Sequence, residues 1–555
     1  MVLKTRSAIP ATIVIVVLLS VGSYYGLMSA TVPRQITTQS SLTSKLSQNE
    51  TTANWPTYHG NPSRSGFEPS IVSFNLVHLN WKSITLDGSV YAEPLIVGKD
   101  VIIATENDSL YDLTANTGQV MWRNHLGTPV NGGELPCGNI DPSGITGTPV
   151  VDASRRIIYV VAFMKSPARH ELFAIDLDTG QVKFHSPVDP PGADPTVQQQ
   201  RAALALSGGY VYVAYGGLAG DCGTYHGWVV ASKADQSTAN SARDSLLSYQ
   251  VPTGWAGGIW APSGPAVDEL GNLFIATGNS GSSSTFDFGN AVIRLSRDLR
   301  QLDWFAPSNW IQLNDQDRDL GSTGPIILNS TVVFQIGKDG IGYLLNAQKL
   351  GGIGGQLFSV QVCSEPGAGA FGGSAYSPPY LIVPCTNGIV VLEINPAPSP
   401  SFNVVWRGPN FDSGPPIVAG NAVWTVDVRK GMIYALDLKD GRILFQDSIG
   451  SVTHFTSLGA GDDRIFVSAS RRVMAYILEN SSQGYITRYA GTGSFNGAGF
   501  RPSQGPLHVE TSVLENVNSE SRALRFQEGE ANRIEVFAAR YQDFPVFLVE
   551  GDRGV

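Results

Sequence analysis

Three aspartates alternate along one stretch of the chain, Asp315, Asp317 and Asp319. Carboxylates so placed can hold a hard cation through oxygen, or take a proton from a reacting hydroxyl; a solvated turn carries the same residues with no chemical task. The glycine and distal glutamate of an EF-hand calcium loop are missing, so that motif is not supported. A second set, Arg201, Tyr225, His226, Trp228 and Trp260, falls in or beside connections between apolar segments. Aromatic walls with a few polar groups make a ligand pocket, yet tryptophan and tyrosine equally serve as packing between repeats. His59 in WPTYHG and His454 in THFTS have no sequence partner of catalytic type. No G-x-S-x-G elbow, H-E-x-x-H pair or G-x-x-x-x-G-K-[ST] loop occurs, which leaves hydrolases of those kinds and nucleotide binding unsupported.

The four cysteines, Cys137, Cys222, Cys363 and Cys385, form no C-x-x-C and no Cys/His cluster of zinc spacing. In an exported chain they suit disulfides, and the pairs Cys137 to Cys222 and Cys363 to Cys385 would join loops on neighbouring or nearby repeats. Buried free thiols are the other reading. Short acceptor signatures for N-glycosylation begin at Asn49, Asn107, Asn329 and Asn480 and matter only in a host that glycosylates exported proteins.

The elements that must position these residues are short strands. Among 555 residues, 61 glycines and 33 prolines accompany only 15% charged side chains, a mix that favours strands joined by tight turns over helices. A net charge of −10 and the lack of any dense Lys/Arg stripe argue against a nucleic-acid partner. One unit recurs: VIIATENDSLYDLTANTGQVMW from Val101, then related copies from Ile157 and Ala422, with weaker copies between them. About eight such units run from Val90 to Tyr489. Each has the size of one four-stranded propeller blade, which cannot bury both faces until its neighbours stack on it. The expected fold is therefore all-β, an eight-bladed β-propeller of four-stranded antiparallel blades over residues 54–490. The stretch from Trp55 to Ile84 is expected to lend a strand to the last blade and close the ring.

Ahead of the propeller, Lys4 and Arg6 precede a run from Ala8 to Ala30 that carries no charge. Such a run exceeds the roughly 20 residues a bilayer requires, so residues 1–30 read as a hydrophobic helix, either an uncleaved anchor or an export signal. The basic flank leaves the propeller on the extracytoplasmic side of a cell membrane, or secreted if the segment is cleaved. Residues 31–53, rich in Ser, Thr and Gln, read as a flexible tether. Residues 491–555 form a C-terminal extension to which the sequence assigns no role.

The signature LYxLxxxTGxVxW, complete from Leu110 to Trp122, resembles the repeat of the quinoprotein alcohol dehydrogenase-like propellers. That family includes enzymes that use pyrroloquinoline quinone (PQQ) and cofactor-free scaffolds of the outer membrane. The segment GGIWAPSGPAVDELGNLFIATGN is similar to the family stretch in which a tryptophan stacks on the quinone and an asparagine ligates calcium. The resemblance gives those roles to Trp260 and Asn279. FAPSNWIQLNDQDRDLGSTGP is similar to the loop of the catalytic aspartate, which implies Asp317 or Asp319 as base and Asp317 beside the calcium. In GKDGIGYLLN, Lys338 takes the basic position that contacts the quinone oxygens, with Arg201 as a further cation and Tyr225 and Trp228 as pocket walls. Three departures accompany the likeness. The adjacent cysteine pair of the alcohol dehydrogenases is missing, since Cys137 stands alone. Asp221 in GLAGDCGTYHGW is the only carboxylate near the family's calcium-binding glutamate. No C-x-x-C-H haem motif occurs. The resemblance implies a PQQ- and calcium-dependent dehydrogenase of an alcohol or sugar-like substrate; the departures leave open a non-catalytic propeller that binds protein or polysaccharide of the cell envelope.

Overall fold

The structure, a computed structural model, describes residues 54–480 apart from 236–245, 365–366 and 396–398, together with the backbone of four later strands. The anticipated N-terminal helix and tether lie outside the described residues, and among those described no helix is long and apolar enough to cross a membrane.

Eight antiparallel blades follow one another along the chain. Blade one comprises Leu95–Val97, Asp100–Thr105, Ser109–Thr114 and Val120–His125, from the innermost strand to the outermost. Its second strand is buried at every position, whereas the outermost alternates between half-buried and exposed. The difference follows from stacking: inner strands have a neighbouring blade on each face, and the outer strand meets water on one. The ring closes as expected, because Leu76–Lys82 pairs antiparallel with Arg472–Glu479 as the outer strand of blade eight.

The repeat signature has a physical cause. Trp122, on the outermost strand of blade one, lies on Gly180 in the turn of blade two, and its indole N–H donates to Leu177 O at 2.9 Å. Trp81 meets Gly118 of blade one in the same way, and Trp406 meets Gly441 of blade seven. All three glycines have positive φ (67°, 69° and 74°), and a side chain on any of them would strike the indole. The Thr-Gly or Asp-Gly turn and the tryptophan are thus two halves of one blade-to-blade contact.

Residues 54–68 do something the periodicity does not announce. Broken by Pro56 and Pro62, this segment cannot form a regular strand. It winds instead along the inner edges of the blades. Pairing of Trp55 with Ile96 begins the path. Pro56 O then accepts from Val151 N, Pro62 O from Val267 N, Ser63 O from Ile327 N, Ser65 O from Tyr376 N and Gly66 O from Val418 N. Arg64 adds blade three through Leu204 O, at 2.9 Å from Nη2. Backbone groups of the innermost strands that would otherwise stay unpaired in the channel are satisfied by this strap.

Beside the strap lies a fully buried polar group. Glu93 Oε1 accepts from Trp55 Nε1 at 2.6 Å and from the backbone N–H of His59 at 2.7 Å. Burial pushes the Glu93 carboxyl up to about 8 against these hydrogen bonds, and drives the His59 imidazole down to about 3. His59, which has no partner in the sequence, is therefore neutral at physiological pH, with Nδ1 3.1 Å from Ser374 O. A carboxyl whose folded pKa is raised stabilises least when ionised, so its contribution is largest below about pH 4.5 and falls as pH rises toward 8. Glu93→Gln is expected to flatten the stability of the propeller across that window, measured by urea melts at several pH values. An unchanged slope would show that Glu93 is ionised throughout.

A separate unit begins at Gly484. Within it, strands His508–Glu510, Ser521–Glu528, Asn532–Tyr541 and Phe544–Gly551 pair in order as an antiparallel sheet.

Candidate active site

In every blade, the connections that lead into the innermost strand and those that join the second strand to the third emerge at the same end. The candidate residues ride on these connections. Arg201 precedes the innermost strand of blade three, Ala205–Ser207, while Gly217 to Tyr225 link the second and third strands of that blade. Trp260 leads into blade four and Asn279 follows its second strand, Leu273–Ala276. Asp317 and Asp319 follow a short helix, Trp310–Asp315, and lead into blade five; Lys338 follows the second strand of that blade, Val332–Gln335.

One cavity of about 240 Å³ collects Arg201, Asp221, Tyr225, Trp260, Asn279, Asp317, Asp319 and Lys338. Trp228 is not among them. It sits on a strand within the apolar cluster between blades two and three, so its role is packing. His226 does not line the cavity either, and Asp315 ends the helix with its side chain outside.

At the centre, Lys338 Nζ lies 2.7 Å from Asp319 Oδ2 and 3.1 Å from Asp317 Oδ1. The two carboxylates differ sharply in setting: the Asp319 side chain is 5% exposed and that of Asp317 69%. Burial pushes the Asp319 carboxyl above its ordinary value despite the lysine; burial also works against the Lys338 ammonium, but the two carboxylates together outweigh it and hold the ammonium above its own. Asn279 binds both aspartates, by its backbone N–H to Asp319 Oδ1 and by its side-chain amide to Asp317 Oδ1 at 3.3 Å. Gly278 stands between Asp319 and Trp260: a Cβ there would lie 2.9 Å from Asp319 Oδ1 and 3.0 Å from the indole nitrogen. Only glycine lets the carboxylate and the indole share one wall.

The aromatic side is larger than the sequence suggests. Phe371 and Phe455 lie 6.4 and 6.3 Å from Trp260, ring centre to ring centre, and 6.2 Å from each other. Lys338 Nζ is 5.5 Å from the Trp260 ring and the Arg201 guanidinium 5.6 Å from that of Phe455, both within reach of a cation–π attraction. Asn139 and His454 also line the cavity. Phe371 and Phe455 carry a faint sequence signal, a bulky residue a few positions before an innermost strand, as with Trp260 and Arg201. Nothing local marks it as functional.

Both expected disulfides are present. Cys137–Cys222, with Cα atoms 6.2 Å apart, fastens the blade-three connection that carries Asp221 and Tyr225, and Cys363–Cys385 joins blades five and six. The Tyr225 hydroxyl donates to Asp221 Oδ1.

An aromatic wall with two cations and an amide fits a planar, anionic ring system in chemical character. The residues do not fit calcium in the same way. Among the described residues no group of three His, Cys, Asp or Glu is placed to hold a metal ion. The Lys338 ammonium takes the position between Asp317 and Asp319 that a cation would need, and Asp221 is engaged by Tyr225. The calcium site expected from Asn279, Asp317 and Asp221 is therefore not assembled.

A family model described as outer membrane protein assembly factor BamB matches residues 77–239. No curated protein sequence matches the chain. Among solved structures, the quinohemoprotein alcohol dehydrogenase ADHIIG from Pseudomonas putida HK5 is 15% identical, with 84% of each chain covered and a TM-score of 0.58. The quinohemoprotein alcohol dehydrogenase from Comamonas testosteroni is likewise 15% identical, with 82% of each chain covered and a TM-score of 0.57. A europium-containing methanol dehydrogenase is 14% identical over 77% of this chain and 98% of its own, with a TM-score of 0.57. At such identities the likeness is one of fold.

Proposed function

Starting from a β-propeller that resembles the quinoprotein alcohol dehydrogenases in fold, we propose that the chain is an extracytoplasmic PQQ-dependent dehydrogenase of an alcohol or sugar-like substrate. The observation that carries this reading is the convergence of Trp260, Lys338, Arg201 and Asp319, from three blades, in one cavity. Trp260 offers the stacking surface, and Lys338 and Arg201 the charge-assisted hydrogen bonds to anionic oxygens. Bound PQQ would supply the two-electron acceptor for the hydride leaving the carbinol carbon. Asp319 is the better base of the two aspartates, because burial raises its proton affinity while Lys338 and Asn279 fix its orientation. It takes the hydroxyl proton as the alcohol becomes a carbonyl. Asp317, largely in water, balances the lysine at the rim. Export agrees with the paired cysteines and with the apolar run of residues 8–30, which we read as a membrane anchor.

A titration of the purified chain with PQQ, with and without Ca²⁺, followed by quinone absorbance, tests the reading. Binding is expected, and Trp260→Ala should weaken it by roughly 1 to 3 kcal/mol, the scale of one buried aromatic contact. Absence of binding by the wild type would sink the enzyme. The alternative, a scaffold of the cell envelope, is favoured by the family match over blades one to three, where Cys137 lacks an adjacent cysteine. In that case the chain ignores PQQ and captures an envelope protein or polysaccharide instead.

A further inference from the structure

Against Tyr225, one wall of the cavity, stands a tryptophan that is partly open to solvent. Trp255 is 36% exposed, yet its orientation is fixed from several sides. Its indole N–H donates to Gly223 O at 3.0 Å, in the loop that the Cys137–Cys222 disulfide fastens. Its ring meets that of Tyr225 edge-on, 5.8 Å from centre to centre, and Tyr225 lines the cavity. The next residue, Ala256, has φ of 63°, a left-handed conformation that a residue with a Cβ adopts at a cost. Neighbouring loops hold it there: Ala256 N–H donates to Tyr225 O, the adjacent Gly257 N–H donates to Asn279 O, and Ala256 bridges to Ser280.

The surroundings of the indole are open where a ligand would come. A Cβ on Gly281 would touch only the Trp255 ring, at 3.6 Å, and one on Gly254 would meet nothing within 4 Å. The cavity that Tyr225 lines holds exposed oxygen acceptors, Asp221, bound by the Tyr225 hydroxyl, and Asp317, 69% exposed. A rigid aromatic face beside fixed carboxylates is complementary to a molecule with an apolar C–H face and a girdle of hydroxyls. Such a molecule is a sugar ring. A short alcohol has no face to stack, and an indole fixed in advance loses little conformational freedom when a ring settles on it.

We propose that Trp255 is the platform on which a sugar ring docks beside the cavity, so that the substrate class is carbohydrate and not small alcohol; this rests on the reading of the cavity as the catalytic site. The test is calorimetric titration of the intact chain, with no quinone added, against glucose, cellobiose and ethanol. Sugar is expected to bind and ethanol not. Trp255→Ala should weaken sugar binding by roughly tenfold, the loss of one aromatic contact, and Trp255→Phe should retain most of it. Thermal unfolding is measured alongside: Trp255→Phe, which keeps an aromatic ring against Tyr225, should melt close to the wild type, while Trp255→Ala also gives up the bond to Gly223 O and the ring contact. Sugar affinity unchanged in Trp255→Ala, or no sugar binding by the wild type, overturns the proposal. Quinone binding without sugar binding defeats the platform and leaves the dehydrogenase standing; sugar binding without quinone binding does the reverse.

Discussion

Lys338→Met is expected to damage both the ligand site and the fold around it. The methionine fills similar space but leaves the Asp319 carboxylate, 5% exposed, with only the Asn279 backbone N–H at Oδ1. Breaking a buried ion pair from one side costs about 3 to 5 kcal/mol when the remaining charge has no other outlet. Here there is one, since Asp319 can take up a proton. Burial already raises its folded pKa, and Lys338 is the leading influence that lowers it, so removal of the lysine raises it further. A carboxyl raised in the folded state carries no penalty below its unfolded pKa, and the penalty grows as pH climbs toward the folded value. Urea melts should therefore show a variant nearly as stable as the wild type near pH 4 and clearly weaker near pH 8. Anionic ligands should bind roughly 10 to 100-fold more weakly, the scale of one charge-assisted hydrogen bond. Equal stability at both pH values would falsify the ion pair as the organiser of this wall.

Arg64→Ala is expected to cost about 3 to 5 kcal/mol of unfolding free energy, near the upper limit for one surface-remote side chain. Its guanidinium is fully buried and donates to Pro265 O, Thr57 Oγ1, Tyr58 O and Leu204 O at 2.7 to 3.1 Å. Those acceptors belong to the strap and to blades three and four, and truncation strips the guanidinium donors from Pro265 O and Tyr58 O and leaves Leu204 O only the Thr57 hydroxyl at 3.4 Å. Arg64→Lys should recover only part of the loss, because an ammonium cannot reproduce the planar fork. Denaturant melts of both variants decide the matter. A loss under about 1 kcal/mol for the alanine would mean that the strap is a passenger in the ring and not part of what holds it together.

Much of this was legible in the chain because it depends on neighbours in sequence. Strands such as Val101 to Ala104 are uniformly apolar, and the turns ending at Gly118, Gly180 and Gly441 need a backbone that glycine supplies. Those features recur with the period of a blade, so strand order, repeat number and ring closure follow from the written order of residues. The same holds for the pairing of the cysteines, since loops on nearby blades bring them within reach. Residues 54–68 were harder to foresee: their hydrogen bonds run to blades one through seven, and no local pattern announces a partner hundreds of residues away.

The candidate site divides along the same line. Resemblance to the quinoprotein repeat pointed to Trp260, Lys338, Asn279 and the aspartates, and their residue types suit a planar anion. Tertiary structure decided which of them meet. Asp317 and Asp319 are two residues apart, yet one stands in water and the other in the wall, since the turn at Asp317 (φ 52°) sends them to different environments. Trp228 looked equivalent to Trp260 and proved to be core, because it sits on a strand and not on a connection. Phe371, Phe455 and Trp255 gained meaning only from rings and loops contributed by other blades. By itself the sequence determined a closed ring of strands, through local periodicity and turn chemistry. Only the tertiary structure decided burial, ion pairing and proton affinity at the site, because these depend on distances between segments that the chain holds far apart.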